Sequence, residues 1–211
     1  MQTTSPIKLY RSIVSGHAHR AELFLSLLGL PYATIDIDLR AGEQKSEDFL
    51  KLNPFGQVPV IDDNGTVVAD SNAILVYLAL RYGDQHWMPR DPAGAAQVQR
   101  WLSVAAGEIA FGPALARVIK RFNRPYDIDT ATAIAARLFT VMDKQLQERP
   151  YLAATHPTIA DIAAYSYIAR APEGDVSLEP YPALQAWLKR IETLPRFVPM
   201  IELPPHPGKA A

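Results

Sequence analysis

Asn53-Pro54-Phe55-Gly56-Gln57-Val58-Pro59-Val60-Ile61 (NPFGQVPVI) is the stretch on which the reading of this chain turns. Val58 to Ile61 has the apolar, β-branched pattern of a strand, yet Pro59 stands inside it. Proline has no N–H for a sheet ladder and is tolerated only at an edge or where the backbone is unusual. Two arrangements meet that condition. Either Pro59 lies on an ordinary edge strand, or the Val58–Pro59 bond is cis and turns the backbone N–H and C=O of Val58 outward. In the second case an extended peptide can pair with Val58 as an added strand.

The flanking sequence alternates strand and helix patterns. Ile7–Tyr10 predicts a short strand. Ser15-Gly16 then starts a helix in which Ala18, Ala21, Leu25 and Leu28 recur at helical spacing, with Phe24 and Leu27 widening the stripe. Gly29 takes the position just past its end, and Pro31 follows. Tyr32–Ile37 predicts a second strand, and Glu43–Leu52 a short helix that must stop before Asn53-Pro54. Asp63-Asn64-Gly65 is a hairpin turn, with Thr66–Ala69 as the return strand. Ser71 opens a helix carrying Ile74, Tyr77, Leu78 and Arg81 that ends at Gly83. The order β-α-β-α-β-β-α is that of an α/β layer fold.

The pattern then changes. Trp87–Pro92 (WMPRDP) reads as a linker, and beyond Ala93 only helical periodicity remains, over about 93–121, 128–148, 158–171 and 181–193. Gly107, Gly112 and Pro113 are expected to kink or split the first of these. The expected organisation is an α/β domain over 1–83, a linker over 84–92 and an all-helical domain over 93–211. The tail PPHPGKAA after Leu203 is expected to be disordered or loosely draped.

Composition narrows the function. The chain has 211 residues, enough to bury a core, and 21 Lys plus Arg against 22 Asp plus Glu. That balance offers no basic excess to hold a phosphate backbone, so no nucleic-acid partner is expected. The chain has no cysteine, which removes disulfides, thiolate metal sites and a Cys nucleophile together. The N-terminus has no basic stretch followed by an apolar one, and no apolar run approaches the roughly 20 residues of a membrane span. The expectation is a cytoplasmic protein with no membrane partner.

Asp70-Ser71 lies just past the return strand, at the start of a helix. Either residue is a good plain N-cap. A Ser at a helix N-terminus is also an anion site by geometry, and an Asp beside it accepts from an ammonium, so the pair fits the carboxylate and amine of an amino acid. Thr158-Ile-Ala-Asp161 reads as a capping box. His17 and His19 are two apart, do not share a helix face, and give no reason to expect a metal.

NPFGQVPVI, followed by ADSNAILVYLALRYG, resembles the glutathione-binding half of the soluble glutathione transferases. LYRSIVSGHAHRAELFLSLLGLPY is similar to the first strand and helix of that family, and PTIADIAAYSYIA to its sixth helix. The resemblance spans nearly the whole chain. It implies a thioredoxin-like domain followed by a helical bundle, a cis Val58–Pro59 bond, and glutathione as co-substrate without a metal. Val58 would pair with the cysteinyl backbone of glutathione, and Asp70 and Ser71 would hold its γ-glutamyl end. Gln57 and Gln44, or Lys45 beside it, would reach the glycine carboxylate.

Members of this family activate the thiol with a Tyr, a Ser or a Cys near the first strand, and Cys is absent. Counting back from Gly29-Leu30-Pro31, Ser15 falls where the bacterial-like, Ser-type classes place their catalytic residue; Ser12, His17 and Tyr10 remain as alternatives. The resemblance also implies a homodimer. A small hydrophobic electrophile would lie between Ile13 and Val14 on one side and Glu108, Phe111 and Leu115 on the other, with Trp101 expected in the core. The implied activity is conjugation of glutathione to an electrophile, in the manner of detoxification. The same scaffold also serves glutathione-dependent peroxidases, disulfide-bond reductases and non-catalytic glutathione- or protein-binding members.

Overall fold

The computed structural model describes residues 5–203. The expectation for the tail after Leu203 lies outside the described residues. The first part of the chain forms β1 (Ile7–Arg11), α1 (Gly16–Leu27), β2 (Tyr32–Asp36), a 3₁₀ turn (Glu43–Lys45), α2 (Glu47–Leu52), β3 (Val60–Asp63), β4 (Thr66–Ala69) and α3 (Ser71–Arg81). The strands make one sheet in the order β2-β1-β3-β4. β1 runs parallel to β2, with Leu9 opposite Thr34, and antiparallel to β3, with Leu9 opposite Ile61.

Strand periodicity explains the layers. Ile7 and Leu9 are buried while Lys8 between them is exposed. Their face, with Ile61, joins Phe24 and Leu25 of α1 and Ile74 and Leu78 of α3 in a single core. Complete burial of a Leu, Ile or Phe side chain contributes roughly 1.5–3 kcal/mol, so this face dominates the stability of the layer. Tyr10, on the other face of β1, meets Phe49 of α2 edge-on, with ring centroids 6.4 Å apart.

One expectation needs correction. The strand read from Val58 begins only at Val60, and Pro59 stands before it, across a cis Val58–Pro59 bond. A residue without an N–H cannot join the ladder, so pairing starts after it.

The rest is helical. α4 (Pro92–Val104) passes through a π-helical stretch (Ala105–Ala114) into α5 (Leu115–Phe122); α6 (Ile128–Glu148), α7 (Ile159–Ala169) and α8 (Pro182–Glu192) follow. Pro113 lies within the π stretch, and a Cβ at Gly112 would stand 3.0 Å from the backbone nitrogen of Ala135, so glycine there lets α6 approach closely. Contrary to the expectation that no apolar run approaches a bilayer span, the continuous helix Pro92–Phe122 is long and apolar enough by length and composition. Its apolar residues Val98, Trp101, Leu102, Ala105 and Ile109 are buried, and it packs against α6 and α7, as a core helix does.

α7 joins the two parts, packing against α1, α3 and α4. Its start is the capping box read from the sequence: the Thr158 backbone N–H donates to Asp161 Oδ2 (2.9 Å). Asp161 Oδ1 also accepts from the Leu152 N–H and from Trp187 Nε1, both at 2.9 Å. The segment after α8 returns across α1, where Ser26 Oγ donates to the Arg196 carbonyl (2.7 Å) and His19 Nε2 meets the Val198 carbonyl (2.9 Å).

Candidate active site

Ser15 caps α1, accepting from the Ala18 N–H at 3.3 Å. The first turn of a helix leaves N–H groups unpaired and presents partial positive charge, a setting that favours a thiolate. The α3 start is similar. Asp70 is its N-cap, with Oδ1 accepting from the N–H groups of Asn72 (2.9 Å) and Ala73 (3.0 Å) and a backbone φ of 73°. Ser71 behind it is buried.

Two side chains of α1 tie these helix starts together. Arg20 Nη1 donates to Ser71 Oγ (2.8 Å) and Asn72 Oδ1 (2.9 Å). His17 Nδ1 lies 3.4 Å from Ser71 Oγ. Burial and the neighbouring Arg20 charge push the His17 imidazole down to about 3, so it is neutral near pH 7. Arg20 is fully buried, which lowers it to about 10 and still leaves it charged. With Nη1 donating to Ser71 Oγ, the Ser71 hydroxyl proton can be donated either to neutral His17 Nδ1 or to a ligand anion.

Tyr167 of α7 completes this corner. Its hydroxyl lies near the Ser15 side chain and the His17 backbone amide, both of which favour the ionised phenol. Burial pushes the phenol up, against the charges of Arg20 and Arg117. Its ring meets that of His17 edge-on at 4.9 Å. Ser15 and Tyr167 both border a cleft of about 1070 Å³. One wall is the β1–α1 loop, Ser12 to Ser15; another is the segment after β2, including Ile37, Leu39 and Arg40; a third is one face of α5, with Arg117, Val118, Arg121 and Phe122.

On the α2 side, Lys45 Nζ donates to the Phe55 carbonyl (3.0 Å) and lies beside Gly56. Gln44 is half-buried, with Oε1 unpartnered. Gln57 is exposed, and its carbonyl accepts from Asn53 Nδ2 (2.8 Å).

Residues 5–80 match the glutathione S-transferase N-terminal domain, and residues 108–195 match the glutathione S-transferase C-terminal domain. The chain belongs to the glutathione S-transferase family. A crystal structure of a glutathione S-transferase from Pseudomonas fluorescens Pf-5 superposes with a TM-score of 0.88 at 37% identity, covering 94% of this chain and 100% of that one. A glutathione transferase homolog from Drosophila mojavensis, solved with bound glutathione, gives 0.80 at 31% identity, over 90% of this chain and 89% of its own. The disulfide-bond oxidoreductase YfcG of Escherichia coli (strain K12) is 30% identical over 85% of this chain and 87% of its own length.

Within this glutathione S-transferase fold, Ser15, His17 and Ser71 gather where α1 and α3 start, and Ser12 borders the same cleft. Tyr10 faces α2 instead. Ile13 and Val14 line the cleft, but Glu108, Phe111 and Leu115 do not; α5 positions from Arg117 onward take that place. The π stretch over Ala105–Ala114 shifts the helical register between Trp101 and α5. Trp101 is in the core. Sequence reading missed Arg20, Tyr167 and Arg117. Nothing local marks Arg20 or Tyr167, which sit in apolar helical stretches and acquire their roles through contacts 51 and more residues away. His17 and His19 have separate partners, Ser71 for the first and Ser166 and Val198 for the second.

Proposed function

We propose that this chain binds glutathione against α1 and α3 and transfers its thiolate to an electrophile held in the cleft. The observation that carries this reading is the corner of His17, Arg20 and Ser71, in which a buried cation of α1 joins the start of α1, capped by Ser15, to the start of α3. Ser71 and Asp70 take the γ-glutamyl end; Val58, beside the cis Pro59, pairs with the cysteinyl backbone; Gln57, Gln44 or Lys45 meets the glycine carboxylate. A free thiol has a pKa near 8.5. Lowering it by about two units takes roughly 2.7 kcal/mol of preference for the thiolate, which a hydroxyl donor at a helix N-terminus is suited to supply. Ser15 is the residue assigned that task, with Ser12 as its nearest substitute.

The N-terminal α/β part, 1–83, serves as the glutathione domain, and 93–211 supplies the second wall of the cleft. The protein works in the cytoplasm as a homodimer. The exposed rings of Phe55 (79%) and Phe111 (60%) give each part an apolar anchor for a second copy. Sedimentation at micromolar concentration should give twice the mass of the 23.3 kDa chain.

The kinship with a disulfide-bond oxidoreductase supports a second reading, in which glutathione supplies both thiols for reduction of a disulfide or peroxide. Glutathione-dependent turnover of chlorinated aromatics, isothiocyanates, hydroperoxides and mixed disulfides, run side by side, separates the two. Conjugate formation from the first two classes supports transfer; turnover confined to the last two favours reduction; glutathione binding without turnover of any would leave a binding protein.

A further inference from the structure

Resting on the transferase reading, we infer that the second substrate carries an anionic group, a carboxylate or its equivalent, received by the arginines of the cleft. Arg117, Arg121 and Arg124 border the cleft on the helical side and Arg40 on the other. Arg117 and Arg121 are four apart on α5 and share a face. Asp36, Asp38 and Glu43 also border the cleft, but each is engaged locally. Asp36 pairs with Arg11 Nε (2.9 Å), Asp38 accepts from the backbone of Arg40 (2.8 Å) and Ala41 (3.1 Å), and Glu43 accepts from the Asp38 N–H (2.7 Å).

A helix C-terminus favours a cation in its last turn, and that suffices for Lys120, which pairs with Asp175 at 3.1 Å. It does not account for Arg117, whose side chain is only 1% exposed at the start of α5. Burying a guanidinium is costly unless its donors are used. Arg117 Nε meets Glu173 (2.7 Å) and Nη1 donates to the Val14 carbonyl (2.9 Å), while Nη2 has no hydrogen-bond partner. The Val14 contact holds the guanidinium against the loop that carries Ser15, next to the proposed position of the glutathione sulfur. A guanidinium with an unused N–H matches a carboxylate in shape and charge. Ile37, Leu39, Val118 and Phe122 leave an apolar surface for the body of the molecule. The cleft thus suits an amphipathic acid in place of the small hydrophobic electrophile expected from the sequence.

The test compares the affinities of S-benzylglutathione and S-(4-carboxybenzyl)glutathione for the full chain by calorimetry, at low and high salt, with glutathione as reference. The carboxylated compound should bind about tenfold or more tightly, with an advantage that shrinks as salt rises. Arg117→Gln should remove most of that advantage; because Arg117 is buried, Arg121→Gln with Arg124→Gln, at the cleft rim, provides a second variant that should reduce it. Equal or weaker binding of the carboxylated compound by the wild type overturns the inference and leaves the glutathione reading standing. An advantage kept in both variants, or one lost only in step with glutathione's own affinity, overturns the assignment to the arginines. Failure of all three compounds to bind overturns the glutathione reading, and this inference with it.

Discussion

The ring of Tyr167 fills the space that Gly16 leaves open: a Cβ built at Gly16 would stand 2.7 Å from both Cε1 and Cζ of that ring. Position 16 begins α1, where Ala would ordinarily be favoured over Gly by roughly 0.5–1 kcal/mol. Overpacking a buried contact costs about 1–3 kcal/mol and should prevail. Gly16→Ala is therefore expected to lower the melting temperature and reduce turnover by displacing Tyr167 from Ser15. A melting temperature at or above that of the wild type would show that the ring moves aside freely.

Ser15→Ala should leave glutathione affinity nearly intact and lower turnover by roughly one to two orders of magnitude, the effect of losing a hydrogen bond to a charged group. The thiol pKa of bound glutathione, read from thiolate absorbance, should rise toward the free value. Tyr167→Phe removes the other hydroxyl of the corner while keeping the ring against Gly16. If Tyr167→Phe raises the thiol pKa and Ser15→Ala does not, the stabilising hydroxyl is that of Tyr167. Because Ser15 also caps α1, unfolding free energies of both variants must be measured in parallel.

Asp70→Ala and Ser71→Ala are expected to raise the glutathione KM more than they lower kcat, since the proposed binding mode has them anchor the γ-glutamyl end away from the reacting sulfur. Asp70→Ala also removes a cap that accepts two N–H groups, so it should cost about 0.5–2 kcal/mol of stability as well. Unchanged glutathione dissociation constants in both variants would remove the α3 start from the binding site.

Stability should depend on pH through the two histidines of α1. Burial lowers His17 from 6.5 to about 3 and His19 from 6.5 to about 4. Both folded values lie below the unfolded one, so between pH 4 and 6.5 the unfolded chain binds more protons. Their contribution is complete above about pH 6.5 and is lost as the pH falls toward the folded values. The urea midpoint should drop between pH 7 and pH 5. The drop should be smaller in His19→Gln, which keeps a donor for the Val198 carbonyl and an acceptor for Ser166. A midpoint constant over that range would contradict the neutral, buried state of these rings.

Asp161 offers a contrasting case, structural and remote from the chemistry. Burial pushes its carboxyl up against hydrogen bonds from Leu152, Thr158 and Trp187 that favour the charge. Asp161→Ala strands several of these buried donors, at about 1–3 kcal/mol for each left unsatisfied, and should destabilise the fold strongly. Soluble variant protein should still bind glutathione with wild-type affinity. A variant folded as stably as wild type would show that the network is dispensable.

Much of the fold was legible because it rests on local patterns. The alternation Ile7-Lys8-Leu9, the Ser15 cap, the Asp63-Asn64-Gly65 turn and the Thr158–Asp161 box each specify their element through residues a few positions apart. The pairs proposed to bind glutathione, Val58-Pro59 and Asp70-Ser71, were picked out for the same reason, since each is contiguous in the chain. The cleft residues of α5 were not, because they meet the β1–α1 loop only through tertiary packing, as Arg117 does at the Val14 carbonyl.

By itself, the sequence determined the order of elements and the starts of α1 and α3, because capping and periodicity act within a single turn or strand; from the residues alone Pro59 allowed either an edge strand or a cis bond, and the structure has the cis bond. Only the tertiary structure decided which side chains meet at those starts. Arg20 reaches Ser71 and Asn72, Tyr167 lies over Gly16, and Arg117 reaches the Val14 carbonyl, pairs separated by 51 to 151 positions. Each depends on α1, α3, α5 and α7 being packed together, and no local propensity encodes the position of a side chain on a helix that the chain forms a hundred residues later.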